Sequence, residues 1–268
     1  MLEYFSYPFF RQAFVAVILI SISAAIIGTY IITRRLVSIS GGITHACFGG
    51  LGLGYFLGIN PVIMAAVVAV GSAMGVELME KRMQLRSDSA VAVVWALGMA
   101  LGVLFVFLTP GYVPELNAFL FGNILTVTRA DLWVFGAFAA VLVAFFSIYY
   151  RSIVAVAFDA DFAQVSGLPY RLVSYTMTVL VAVCIVLTIR LVGIMLLMSM
   201  LSLPMITAEV FYSRFRPIML TSIVLSILTG LGGLLLSTVI DVPCSALIVL
   251  LMAGAFLIAK LVQMVRGK

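Results

Sequence analysis

Charged residues are scarce in this 268-residue chain: Asp, Glu, Lys and Arg make up 9% of it, whereas 65% of its residues are hydrophobic. Soluble domains carry about 25% charged and 45–50% apolar residues. The composition therefore excludes an ordinary soluble domain and predicts a polytopic, all-α membrane protein. The net charge of +5 is explained by basic loops and needs no nucleic-acid partner.

Several chemical motifs are missing as well. The three cysteines form no CxxC pair, so we expect them to pack rather than to bridge or to bind metal. No phosphate-binding G-x-x-x-x-G-K-[ST] loop occurs, so any ATP must be hydrolysed by another chain. We predict a single transmembrane domain over residues 1–268 that is not an enzyme and holds no permanent cofactor.

Apolar runs long enough to span a bilayer predict the topology. A shorter, glycine-rich stretch, Ile43–Leu57, is counted as a ninth span, complete or partial, so we expect eight or nine transmembrane helices. The stretch Thr109–Thr128 is broken by Pro and Gly and predicts a short re-entrant element. The other eight runs are Gln12–Ile32, Pro61–Met79, Ala90–Leu108, Asp131–Tyr149, Leu172–Ile189, Val192–Tyr212, Pro217–Ile240 and Cys244–Val265.

Basic residues predict the orientation, because cytoplasmic loops retain Lys and Arg. With nine spans, an outside N-terminus and a cytoplasmic C-terminus, only Arg11, Arg129 and Arg190 of the loop arginines lie outside. The predicted cytoplasmic set is Arg34, Arg35, Lys81, Arg82, Arg86, Arg151, Arg171, Arg214, Arg216, Arg266 and Lys268.

His45 is the only histidine, and it lies within the glycine-rich run. An imidazole in a membrane segment is costly unless it has a partner or lines a polar cavity, so it marks a candidate functional position. Imidazole is a common ligand of zinc and other first-row transition metals. The alternative is a neutral histidine that is hydrogen-bonded to a carbonyl of a neighbouring helix. Cys47, two residues on, is rotated by about 200° on a helix and should not share a metal with His45.

Small residues recur every four positions beside His45, at Gly42, Ala46, Gly50 and Gly54. This pattern predicts close helix packing. The absent side chains would also leave room for an ion or water beside the imidazole. The methionines Met195, Met198, Met200 and Met205 are expected to fill apolar gaps rather than to form a copper(I) track.

A polar segment after Arg151 predicts a short cytoplasmic helix over about residues 158–168. Asp159 is a suitable N-cap, and Gly167 and Pro169 stop the helix. Phe158, Phe162 and Val165 follow the helical period and give it an apolar face. It could lie on the membrane surface or insert into a partner protein.

Four pieces of the chain, in order, resemble the membrane permease subunit of zinc- and manganese-type ABC importers. The similarity runs from Tyr7 to Val265. The pieces are the Arg34–Gly58 block with its histidine, Asp88-Ser89-Ala90-Val91 followed by Pro110-Gly111-Tyr112 and Leu120–Leu125, the segment Phe158–Pro169, and Asp241-Val242-Pro243 before the last span.

The resemblance implies a subunit, in a bacterial cytoplasmic membrane, of an ATP-driven importer of a divalent transition metal, with zinc first and manganese or iron as alternatives. It implies a homodimer or a pair of permeases, a cytoplasmic ABC ATPase dimer and an extracytoplasmic metal-binding protein. The short helix before the last four spans would be the coupling helix, and its candidate coupling residues are Asp159, Asp161, Phe162, Val165 and Gly167.

One departure from the family pattern concerns the metal. The family commonly places a carboxylate four residues before the pathway histidine, but this chain has Gly41 there. Only His45 therefore receives a predicted metal role. Two alternatives stay open: a gradient-driven secondary transporter with His45 as its relay, and an ABC permease for a metal chelate. The short polar helix and the scarcity of ionisable groups at mid-membrane favour the ABC permease over the relay.

Overall fold

The computed structural model describes residues 6–110 and 122–267, and these residues contain helices and no strand. The predicted all-α class is confirmed. We number the α-helices α1 Pro8–Thr33, α2 Val37–Leu57, α3 Pro61–Met83, α4 Ser87–Leu108, α5 Arg129–Ile148, α6 Tyr150–Phe158, α7 Ala160–Val165, α8 Tyr170–Glu209, α9 Phe215–Ile240 and α10 Cys244–Val265, with a 3-10 turn at Ile124–Thr126 before α5.

Local chemistry explains several helix boundaries. Pro61 opens α3, where a missing N–H costs nothing, and the Val62 backbone N–H donates to the side chain of Asn60 at 3.0 Å. Gly58 ends α2 with a φ of +68°, a left-handed conformation that glycine adopts without strain. Thr128 and Asp131 form a reciprocal capping box at the start of α5.

The 40-residue helix α8 contains a break. A straight helix of that length would measure about 60 Å, twice the roughly 30 Å of a bilayer core. Gly193, at φ 80° and ψ 171°, divides it into two segments, as the separate runs Leu172–Ile189 and Val192–Tyr212 predicted. Seven helices of the described chain are long and apolar enough to span a membrane. When α2 is added and the divided α8 is counted as two spans, the chain crosses the membrane about nine times.

The core of the bundle is formed by α1 and α8. In the most apolar stretch of each, 72% of the residues are buried, against 17–28% in the other five candidate spans. Those outer helices expose large apolar side chains, such as Phe107 on α4 and Trp133 on α5. A membrane protein can leave such side chains to the lipid, because hydrocarbon is as apolar as they are. The fold is that of a multi-pass membrane protein.

The break in α8 is held by two contacts. Arg190, which was predicted to lie outside, pairs with Asp131 of α5 at 3.0 Å. Gly122, with a φ of +59°, lies so close to the backbone of Val192 and Gly193 that no side chain could fit there. The segment that leads into α5 therefore packs on the break itself.

Two helix boundaries differ from those predicted from the sequence. Helix α2 begins at Val37, six residues before the predicted Ile43, because Ser40 and Thr44 bond to backbone carbonyls of their own helix and so bury their hydroxyls. Phe158 ends α6 instead of beginning the short helix. Most of the expected re-entrant element lies outside the described residues, and of its remainder the structure shows the 3-10 turn.

Candidate ion pathway around His45

His45 lies in the middle of α2, which packs chiefly against α4, then α3, then α8. Its imidazole ring stacks on the indole of Trp95 from α4, with ring centroids 4.4 Å apart and planes 2° from parallel. The stack fixes the plane of the imidazole. Sequence reasoning did not identify Trp95, although it is one of only two tryptophans in the chain.

The Nδ1 atom of His45 is buried and has no hydrogen-bond partner among the described residues. A hydrogen bond from Nδ1 to a carbonyl of a neighbouring helix, one form of the expected alternative, is thus not seen among the described residues. A buried polar atom without a partner costs about 1–3 kcal/mol and calls for an explanation such as a bound ion or water. The residue as a whole is half-buried, so part of the ring reaches the surface of the described chain.

Cys47 points away from His45, as the helical geometry predicted. It is buried beside Val186 and Ile189 of α8 and Val62 and Ala65 of α3, at a small apolar cavity. No group of three or more His, Cys, Asp or Glu side chains that could hold a metal occurs in the part of the chain that the structure describes. His45 is therefore a single donor that needs others to complete an ion site.

The row of small residues does not form one seam. A Cβ on Gly42 would lie 2.7 Å from Cγ1 of Val91 on α4, and Ala46 faces Gly98 of the same helix. Gly50 and Gly54 instead face α3. The reason is geometric: four residues turn a helix by about 400°, so the row drifts by about 40° at each step. The glycines serve close packing with two neighbours.

The face of α2 that carries His45, together with Gly41, Gly49 and Gly52, has less free space than the sequence suggested. A Cβ on Gly49 would lie 2.8 Å from the carbonyl oxygen of Gly98, and one on Gly52 would lie 2.5 Å from that of Gly102. The backbone of α4 thus takes the space beyond His45. On the N-terminal side of His45, a Cβ on Gly41 would meet only the methyl group of Met198 among the described residues, at 3.4 Å.

The methionines of α8 fall into two groups. Met200 and Met205 are 1% and 0% exposed, and the Met205 methyl fills the space beside Gly28, so packing is confirmed for these two. Met195 is 40% exposed and Met198 is half-buried. The Met198 sulfur also lies 3.6 Å from the hydroxyl of Thr44, the residue before His45.

The short helix α7 has the predicted caps. The Phe162 backbone N–H donates to Oδ1 of Asp159 at 2.9 Å, and Gly167 adopts a φ of +71°. Ala163 is buried against the bundle. Phe158 and Phe162 are each 62% exposed, and Val165 is 89% exposed, so the predicted apolar face points away from the described chain. Asp161 lies in the first turn of the helix.

Comparisons with known proteins agree with this architecture. A model of the ABC 3 transport family matches residues 6–263. A probable metal transport system membrane protein of Chlamydia pneumoniae is 35% identical, and the match covers 89% of this chain and 84% of that relative. A manganese transport system membrane protein, MntC of Halalkalibacterium halodurans, is 29% identical, and the match covers 95% of this chain and 87% of that relative.

Two solved structures share the fold. PsaBC from Streptococcus pneumoniae in complex with Fab matches with a TM-score of 0.84 at 25% identity, over 97% of this chain and 95% of the matched chain. An inward-facing putative metal-chelate type ABC transporter matches with a TM-score of 0.74 at 14% identity, over 93% and 84%. The second likeness concerns the fold alone.

Proposed function

Because the chain belongs to the ABC 3 transport family, we propose that it is the permease subunit of an ATP-driven importer of a divalent transition metal ion, with His45 on the ion's route. The ion is the cargo. The observation that carries the proposal is the imidazole of His45, which lies in a membrane helix, stacks on Trp95 and has an Nδ1 without a partner in the part of the chain that the structure describes. Relatives named for metal and manganese transport support the class of cargo.

Zinc is the first candidate ion, with manganese and iron as alternatives. Imidazole suits zinc and iron, whereas manganese prefers carboxylate, carbonyl and water ligands. The chain lacks the carboxylate that the family commonly places at Gly41, which favours a nitrogen-based site. A second copy of the chain would bring a second His45, so a homodimer would add a donor across its axis.

Energy would come from a cytoplasmic ABC ATPase dimer that docks on α7, and an extracytoplasmic metal-binding protein would deliver the ion. The exposed Phe162 and Val165 of this helix, with Phe158 just before it at the end of α6, support a protein partner here. Asp159 and Gly167 hold the helix in shape through its caps. The permease itself would hydrolyse nothing.

The route is tested by replacing His45 with Phe and with Ala in cells that depend on this importer for metal. The H45F variant keeps an aromatic ring against Trp95 but has no nitrogen donor, so it separates ligation from packing. We expect both variants to reach the membrane in normal amounts and to lose most Zn²⁺ uptake. Normal uptake by H45F would show that the imidazole is not needed on the route.

The coupling role is tested on Phe162. The F162A variant should retain less ATPase on co-purification and should transport less metal per ATP hydrolysed. Phe211, 47% exposed and three residues before Arg214 of the predicted cytoplasmic set, supplies the control variant F211A. Equal ATPase retention by the two variants would place the docking surface elsewhere.

A further inference from the structure

The methyl group of Met198 borders the space that a side chain on Gly41 would enter. Gly41 lies one helical turn before His45, so a side chain there would stand beside the imidazole. The Met198 methyl is 3.4 Å from the position of a Gly41 Cβ. The side chain on α8 that lies next to this space is therefore that of Met198.

The sulfur of Met198 keeps a lone pair available. The Thr44 hydroxyl lies 3.6 Å from this sulfur, but it donates to the carbonyl oxygen of Ser40 at 2.7 Å. A carbonyl is a stronger acceptor than a thioether, and a hydroxyl has one proton. The proton therefore goes chiefly to Ser40, and the weaker contact with Thr44 leaves at least one lone pair of the thioether free.

Met198 also differs from the methionines that serve only as core. Met200, two residues on, is 1% exposed, whereas Met198 is half-buried. Its thioether thus combines a donor atom, partial access and a position against the residues one and four before His45. A thioether is a soft ligand that manganese disfavours, while imidazole serves zinc and softer ions.

We propose that Met198 is the specificity-determining partner of His45: it supplies a thioether where a carboxylate would otherwise stand, and so favours zinc and softer ions over manganese on this route. The inference rests on the proposed function, because His45 must meet the transported ion. It assigns the selectivity to a residue of another helix, α8, beyond the Gly193 break.

The test measures Zn²⁺ and Mn²⁺ binding to the purified full-length chain in lipid nanodiscs. The variant M198L keeps the volume of the side chain and removes the sulfur, and M200L is the matched control on the same helix. We expect M198L to lower the ratio of zinc to manganese affinity by about tenfold or more, the scale on which partners of a metal site act. M200L should leave the ratio unchanged.

A second variant, G41D combined with M198A, restores a carboxylate and vacates the space for it. This variant should bind manganese better than the unchanged chain does. A general structural role of Met198 would weaken both metals equally and leave their ratio constant. An M198L ratio equal to that of M200L would overturn the proposal.

The variant H45A separates this proposal from the proposed function. Loss of binding of both metals in H45A, with an unchanged ratio in M198L, would refute only the role of Met198. Unchanged binding of both metals in H45A would refute the route through His45 as well, and the thioether would then have no ion to select.

Discussion

The two sides of α2 use glycine in different ways. Toward α3 and α4, glycine allows backbones to touch: Gly50 faces the Cα of Ala65, and Gly49 faces the carbonyl oxygen of Gly98. Toward α8, a Cβ on Gly41 would meet only the terminal methyl of the Met198 side chain among the described residues, at 3.4 Å. A backbone cannot yield to a new methyl group, whereas a methionine can turn aside. Substitution of the glycines that face α3 and α4 should therefore lower the stability of the protein, whereas substitution of Gly41 should affect the ion site.

The largest effect is expected from Gly50→Ala. The new Cβ would lie 2.7 Å from the Cα of Ala65 and 2.8 Å from the carbonyl oxygen of Met64, so α2 and α3 must separate. Overpacking of this kind costs about 1–3 kcal/mol or more. We expect a lower melting temperature in detergent and a lower yield of monodisperse protein.

Gly71→Ala is the control for that experiment. Gly71 lies on α3, and a Cβ there would meet no heavy atom within 4 Å among the described residues. The melting temperature of this variant should equal that of the unchanged chain within experimental error. If both variants lost the same stability, the close approach at Gly50 would not be the cause.

An intermediate effect is expected from Trp95→Leu. The variant removes the ring that holds His45, and stacked aromatic pairs contribute about 0.5–1.5 kcal/mol beyond their buried area. Metal uptake should fall severalfold while the protein stays folded, because the imidazole loses its fixed plane. Trp133→Leu provides the control, since Trp133 is 81% exposed on α5. Equal uptake by the two variants would contradict a positioning role for Trp95.

Much of the fold could be predicted from local sequence. Apolar runs identified the long helices, and the caps Asp159 and Gly167 act on their own helix, so no knowledge of tertiary contacts was needed. The rotation of Cys47 away from His45 followed from helical geometry alone. The start of α2 was missed because a polar residue such as Ser40 suggests a loop until its hydroxyl is seen to donate to the Val37 carbonyl within the helix.

The neighbours of His45 were the part that sequence could not supply. Trp95 and Met198 reach it from α4 and α8, and the pairing of helices in a bundle is a long-range property that no local pattern encodes. A weak signal for such a neighbour did exist, because the missing side chain at Gly41 leaves space that a side chain from another helix can approach. The split of the glycine row between α3 and α4 was predictable in principle from its drift of about 40° per step.

The smallest effect is expected from Gly41→Ala, compared with Gly42→Ala one residue on. The Gly41 methyl would lie 3.4 Å from the end of the flexible Met198 side chain, whereas the Gly42 methyl would lie 2.7 Å from Cγ1 of the β-branched Val91. We expect less than about 0.5 kcal/mol of lost stability at Gly41, as for changes that meet no fixed neighbour, and a clearly larger loss at Gly42, where Val91 has few other rotamers in a helix. Melting temperatures of the two variants in one detergent measure the difference. Equal losses would mean that α2 is packed as tightly toward α8 as toward α4, and Met198 would then be a fixed part of the core with no freedom to meet an ion.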